Sequence, residues 1–240
     1  MKYYYDLHIH SCLSPCGDDD STPDSIAGMG ELNGLDIMAL TDHNTAKNCP
    51  AFFRAAKRHG IIPLGGMELT TSEDIHVVCL FDKLENVMEF DRYIGGRRIL
   101  IKNRADIFGN QLICDDTDNI TGSEEHLLTN ATSVSLDEAP ELVKSFGGVC
   151  FPAHIDRQSN GVIAVLGVFP ESPVFTCAEV NDPDNAGKYA VQCGGAGKRL
   201  LANSDAHYLW NIKERGSFLE LDCERGEAAG QLIKYLRGEI

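Results

Sequence analysis

A chain of 240 residues, 43% hydrophobic and 24% charged, is long enough to bury one substantial core, and one domain spanning residues 1–240 is expected. A formal charge of −15 disfavours extended nucleic-acid binding, because general affinity for a polyanion comes from Lys and Arg neutralising its phosphates. No apolar run reaches the roughly 18 residues of a membrane span, and Met1 to Leu7 carries no export signal, so a cytoplasmic protein without membrane contact is expected.

In chain order, the apolar run Tyr3 to Ile9 reads as a first strand. Thr22-Pro23 then offers an N-cap and first helical residue for a helix that runs to Asn33 and stops at Gly34. A strand from Asp36 to Thr41, a helix from Pro50 to His59 closed by Gly60, and a strand from Ile61 to Leu64 complete a βαβαβ rhythm, which implies a parallel sheet with helices outside it. Strand His76 to Phe81 and helix Leu84 to Tyr93 continue it. Residues 95–132 are less regular and read as an insertion with a small β-hairpin around the turn-rich Asp115 to Gly122, suited to closing over a site as a lid. Ser135-Leu136-Asp137-Glu138 is a capping box opening a helix to Phe146. Strands at Gly148 to Phe151, Val174 to Val180, Arg199 to Ala202 and Ser217 to Leu221, and a helix from Glu224 to Leu236, finish the chain. Seven or so strands in βα order, with no Gly-rich phosphate loop after any of them, favour a closed or nearly closed α/β barrel.

The nine cysteines are odd in number and scattered, several inside apolar runs, which suits reduced thiols. Cys12 and Cys16 lack a second pair at zinc-finger spacing.

The chemistry is concentrated at the strand ends. Asp6-Leu7-His8-Ile9-His10 ends the first strand, Thr41-Asp42-His43-Asn44 the second, and Gly66-Met67-Glu68 follows the third. Pro152-Ala153-His154 and Asn203-Ser204-Asp205-Ala206-His207 follow later strands. Residues i and i+2 of a strand share a face, so His8 and His10 aim together, as do Asp205 and His207. C-terminal strand ends line one rim of a parallel barrel, where active sites of such folds are built. His76 opens its strand instead, and needs a bend or reversal to join the others. So many imidazoles and carboxylates brought together demand partners, and divalent ions supply them; mixed nitrogen and oxygen donors suit Zn, Mn or Fe. His59, in the last turn of a helix, and His126, in the insertion, stand outside this pattern.

At these motifs the sequence resembles the PHP superfamily, named for polymerase and histidinol phosphatase, over nearly the whole chain. The resemblance implies a distorted (β/α)7 barrel with a trinuclear centre. It implies His8, His10, Glu68 and Asp205 as ligands of one ion, Glu68 with His76 and His154 for a second, and Asp18, His43 and His207 for the third. Cys16, Asp18 and Asp19 all lie within reach of the position after the His8-x-His10 motif; Asp18 is preferred because Asp19 and Asp20 suit an acidic stretch before a helix. Asp42 cannot face the same way as the adjacent His43 along a strand, so it is read as an orienting group or proton carrier.

The implied activity is hydrolysis of a phosphate ester by metal-activated water, on a phosphorylated small molecule or a short oligonucleotide end. Arg157 is the candidate phosphate contact, and His207 or Asp42 the candidate donor to the leaving oxygen. Competing readings are a histidinol-phosphatase-like phosphomonoesterase, a C–N amidohydrolase on a similar rim, and a metal-binding domain without activity.

Overall fold

The computed structural model describes residues 1–193 and 198–240. In chain order they form β1 (Lys2–Ile9), α1 (Pro23–Leu32), β2 (Ile37–Leu40), α2 (Cys49–Arg58), β3 (Ile62–Thr70), β4 (His76–Phe81), α3 (Leu84–Gly95), α4 (Ala105–Phe108), β5 (Leu112–Cys114), β6 (Ile120–Ser123), α5 (Ala139–Ser145), β7 (Val149–Pro152), α6 (Val162–Leu166), β8 (Cys177–Val180), α7 (Ala186–Gln192), β9 (Arg199–Ala202), β10 (Phe218–Glu220) and α8 (Ala228–Leu236).

Six strands form one curled sheet in the order β10-β1-β2-β3-β4-β7, and β8 and β9 form a parallel pair beside it. The stretch β1-β2-β3 is parallel, as the βαβαβ rhythm predicts. A strict (β/α)7 succession does not follow, because β4 runs antiparallel to β3, β7 antiparallel to β4, and β10 antiparallel to β1. The reason at β3–β4 is chain length. Residues 71–75 are too few for a parallel crossover, which takes about a dozen or more, so the chain turns straight back, with Asp74 in the left-handed region at φ +60°. The gap between β7 and β1 is spanned by the β8–β9 pair through sparse links: Ile155 N–H to Glu179 O at 2.8 Å on one side, and Leu7 N–H to Asn203 Oδ1 and His10 N–H to Ala206 O on the other.

Two apolar layers sandwich the sheet. Outside it, Met38, Leu40, Met67, Leu69 and Cys79 pack on Ile26, Phe52, Ala56, Val87 and Phe90 of α1, α2 and α3. Inside the curl, Tyr3, Tyr5, Leu7, Ile37, Ala39, Leu64, Val78, Leu80 and Phe151 meet Leu232, Ile233 and Leu236 of α8, which plugs that end. A register shift between Asp6 and Ile9 breaks the alternation of β1, so that Ile9 joins the outer layer while Leu7 lies in the inner one. His8 and His10 thereby continue the inner column.

The insertion holds the expected hairpin, β5–β6, although its second strand, Ile120–Ser123, begins within the stretch read as turn. It is docked on the flank rather than over the sheet mouth. Asn48 links to it in both directions, donating to Leu112 O and accepting from Cys114 N–H. Asp118 takes the N–H groups of Asp24 and Ser25 at the start of α1. The reciprocal Ser135–Glu138 box also forms, just ahead of α5. No helix among the described residues is long and apolar enough to cross a membrane.

Candidate metal centre

At one end of the inner column the apolar side chains give way to imidazoles and carboxylates. Glu68 sits on β3 four residues beyond Leu64, on the same inner face, and is 1% exposed. Its Oε1 lies 2.8 Å from His76 Nδ1, 3.0 Å from His154 Nε2 and 3.4 Å from His8 Nε2; its Oε2 lies 3.0 Å from His43 Nδ1 and 3.3 Å from His10 Nε2. The β3–β4 hairpin is what brings His76 there: pairing Thr70 with His76 turns the start of β4 toward the end of β3. Asp205 Oδ1 lies 3.2 Å from His10 Nε2 and 3.4 Å from His8 Nε2. His154 and Asp205 are held at φ +26° and +52°. Side chains other than Gly rarely accept such values, and the cost is of order 1–3 kcal/mol each.

Buried groups behind the cluster fix the rings. Glu179, fully buried in β8, accepts from His8 Nδ1 at 2.9 and 3.0 Å, from the His154 N–H and from Asn203 Nδ2. His10 Nδ1 is 2.9 Å from Ser14 Oγ, which donates to Asp42 Oδ1. These partners assign the ring protons to Nδ1 of both histidines. Their Nε2 lone pairs then face one another at 3.1 Å, an arrangement that calls for a cation between them. Without one, protons take that place: burial opposes charging His8 and His10, but Glu179, Asp205 and Glu68 hold His8 well above the usual histidine range, and His10 is raised too. Burial likewise opposes ionisation of Glu68, yet His76, His8 and His43 hold it well below the usual carboxylate range.

The donors suit divalent ions. His8, His10, Glu68 and Asp205 offer ligand atoms within 4.8 Å of one another, as do His43, Glu68 and His76, and as do His10, His43 and His207. Asp205 Oδ1, His43 Nδ1 and His154 Nδ1 are buried with no hydrogen-bond partner, as expected of atoms kept for another ligand.

A model of the PHP domain family matches residues 6–139. The chain belongs to the PHP domain family. It is 36% identical over 99 residues to an error-prone DNA polymerase of Symbiobacterium thermophilum, a match covering 41% of this chain and 9% of that one. To a 5'-3' exoribonuclease of Haemophilus influenzae it is 32% identical over 116 residues, covering 47% of this chain and 40% of that one. The matches thus span less than half of these relatives. Endonuclease Q of Pyrococcus furiosus superposes with a TM-score of 0.64 at 18% identity over 99% of this chain and 56% of its own. A protein of Bifidobacterium adolescentis provisionally classed as a metal-dependent phosphoesterase gives 0.59 at 17% over 96% and 95%. An amidohydrolase of Chromobacterium violaceum gives 0.59 at 18% over 91% and 92%. At such identities the likeness shows the fold, and it is the PHP fold. The family is one of metal-dependent phosphoesterases and nucleases, which implies divalent ions.

Within this PHP domain, one sequence-expected ligand stands elsewhere than anticipated, and one expected alternative is narrowed. Asp18 does not join the cluster: its Oδ1 accepts from Asp20 N–H and its own N–H donates to His207 O. Cys16 does approach, with Sγ 3.3 Å from His43 Nε2. Asp42 is buried beneath the loop that follows β1, taking Ser11 N–H, Ser11 Oγ and Ser14 Oγ at 2.7 Å each. It orients His10 through Ser14 and does not line the mouth, so it is not a proton carrier to a leaving group. A cavity of about 120 Å³ opens over the cluster, lined by His43, Glu68, His76, His154, Asp205 and His207 with Arg157 and Asn160. Arg157 Nη1 rests on Asp205 Oδ2. No residue of 95–132 lines it, so the insertion is not a lid in this arrangement. Sequence reading missed Glu179 and Ser14. A Glu inside the apolar run Cys177-Ala178-Glu179-Val180 was the available signal, since carboxylates are almost never fully buried without a partner.

Proposed function

We propose that this PHP domain hydrolyses a phosphate ester, of a small phosphorylated molecule or at the end of a short oligonucleotide, with two to three divalent ions (Zn, Mn or Fe) as cofactors. The observation that carries the reading is Glu68, a buried carboxylate contacted by five histidines from four strand ends, with Asp205 opposite it across His8 and His10. His8, His10, Glu68 and Asp205 would hold one ion, Glu68, His76 and His154 a second, and His43 and His207 a third. Bound there, such ions neutralise phosphoryl oxygens and make water a nucleophile near neutral pH.

The chain's own residues set what can react. A cavity of about 120 Å³ over the cluster has room for a phosphoryl group. The alcohol or nucleoside portion would extend toward the rim. Arg157, 43% exposed at that rim, is placed to share its guanidinium between Asp205 and a phosphoryl oxygen. His207, more open than His76 at 21% against 12%, is the ring best placed to pass a proton to the leaving oxygen. The cavity lining contains no lysine, which weighs against a C–N hydrolase that needs a carbamylated one.

The test is elemental analysis of the purified protein, then phosphate release from mononucleotides, bisphosphorylated nucleotides, short oligonucleotides and histidinol phosphate, with Glu68→Ala as control. Two to three ions and ester cleavage lost in the control are expected. Metal without cleavage points to C–N hydrolysis or a binding role, and absence of metal overturns the reading. Arg157→Ala is expected to raise KM for the phosphorylated substrate about tenfold or more, the cost of a lost charge-assisted pair; an unchanged KM removes Arg157 from the phosphate site.

A further inference from the structure

We propose that Cys16 is a ligand in its own right, so that the ion beside His43 and His207 meets a nitrogen–sulfur donor set. The inference rests on the metal-centre reading above and departs from the carboxylate expected at this place. Cys16 Sγ lies 3.3 Å from His43 Nε2, and the donors of His10, His43 and His207 lie within 4.8 Å of one another. His43 fixes the direction: it is 4% exposed, its Nδ1 lies 3.0 Å from Glu68 Oε2, and its Nε2 is turned the other way, toward Cys16. A buried ring held by a carboxylate through one nitrogen, with the other nitrogen meeting a thiol beside two more imidazoles, gathers the donors of a metal ligand set.

The loop puts the sulfur there by its backbone. Ser14 N–H bonds to Ser11 O and Gly17 N–H to Ser14 O, giving two successive turns after β1. Any side chain at position 17 would meet Ser11 O at 2.5 Å, so Gly17 is what lets the loop close this tightly. The same closure leads the backbone on to His207 O and leaves the Asp18 carboxylate to accept from Asp20 N–H.

A thiolate changes which ion is preferred. Sulfur donors favour Zn or Fe over Mg and Mn, whereas the two-histidine, two-carboxylate set around Glu68 and Asp205 tolerates Mn.

The full chain, stripped with chelator and reloaded with Co(II), is expected to show a near-ultraviolet thiolate-to-cobalt charge-transfer band. Loaded with Zn, it is expected to show a sulfur neighbour at about 2.3 Å by X-ray absorption. Cys16→Ser is expected to lose both signals while elemental analysis still finds ions at the other positions, and Cys16→Asp to recover the stoichiometry without the band. In wild type, where Cys16 is exposed and most other cysteines are buried, loading should also slow labelling by a thiol reagent at least tenfold. Ions bound with only nitrogen and oxygen neighbours, or a band surviving in Cys16→Ser, would overturn the assignment and leave the metal centre standing. Failure to bind any ion would overturn both.

Discussion

Glu179 illustrates how the reactive residues depend on ones that never face the cavity. One carboxylate holds a ring nitrogen of His8, the backbone of His154 and the amide of Asn203, and so ties β1, the end of β7 and the end of β9 to β8. Groups that orient metal-binding imidazoles typically account for 10–100-fold in affinity, so Glu179→Gln is expected to weaken metal binding by about that factor in a chelator competition. An unchanged affinity would show that His8 needs no such support. His59, which the sequence left outside the site, lies beside Glu31 and Asp24 on the surface. Hydrogen bonding to Glu31 foremost raises its pKa. A raised folded value means the stabilisation is complete below the unfolded pKa near 6.5 and is lost as pH rises through the folded one. His59→Gln should thus cost less than about 1 kcal/mol below pH 6, the partners being exposed, and nothing well above neutrality. Urea titrations at the two pH values measure the difference; a gap that stays constant contradicts it. His8, His10, His43, Glu68, His154, Asp205 and His207 were legible because strand alternation and strand ends leave a pattern. Cys16 and Asp18 were not separable, because a loop of consecutive turns has no period to read.

Elements explain what single residues leave open. His76 looked misplaced only while every connection was taken as a crossover; the short link at 71–75 already forbade one, and the hairpin it forces delivers His76 to Glu68. The start of α1 was predicted at Thr22-Pro23, and α1 does begin at Pro23. Thr22 itself makes no side-chain cap, and the role falls to Asp118, over ninety residues away and therefore invisible to local sequence. Asp118→Ala is expected to cost about 1 kcal/mol, the usual value of a lost cap, by denaturant midpoint. Because Asp118 also anchors the hairpin, faster hydrogen exchange in β5 and β6 should accompany the loss; exchange confined to α1 would show that the hairpin is held elsewhere. Helices α6 and α7 escaped sequence reading because each is short, at 5 and 7 residues, with little periodicity to register.

For the whole molecule, bound ions and folding stability are one equilibrium. On the proposed reading, ions held between the apposed Nε2 atoms of His8 and His10, which only folding brings together, would bind the folded chain better than the unfolded one. A thousandfold excess over Kd adds about 4 kcal/mol, so Tm should rise on loading and fall with chelator. A Tm indifferent to both would deny the coupling. β1 is the strand on which the molecule turns: it pairs with β2 soon after synthesis, but its other edge waits for β10 and for the links to Asn203 and Ala206. On the ribosome, where segments fold as they emerge, the half-built sheet carries an open edge until some two hundred residues have been made. Asp205 and His207 arrive in that same late stretch. If Asp205 and His207 are ligands as proposed, a truncated or stalled chain would present an adhesive strand and an incomplete ligand shell together.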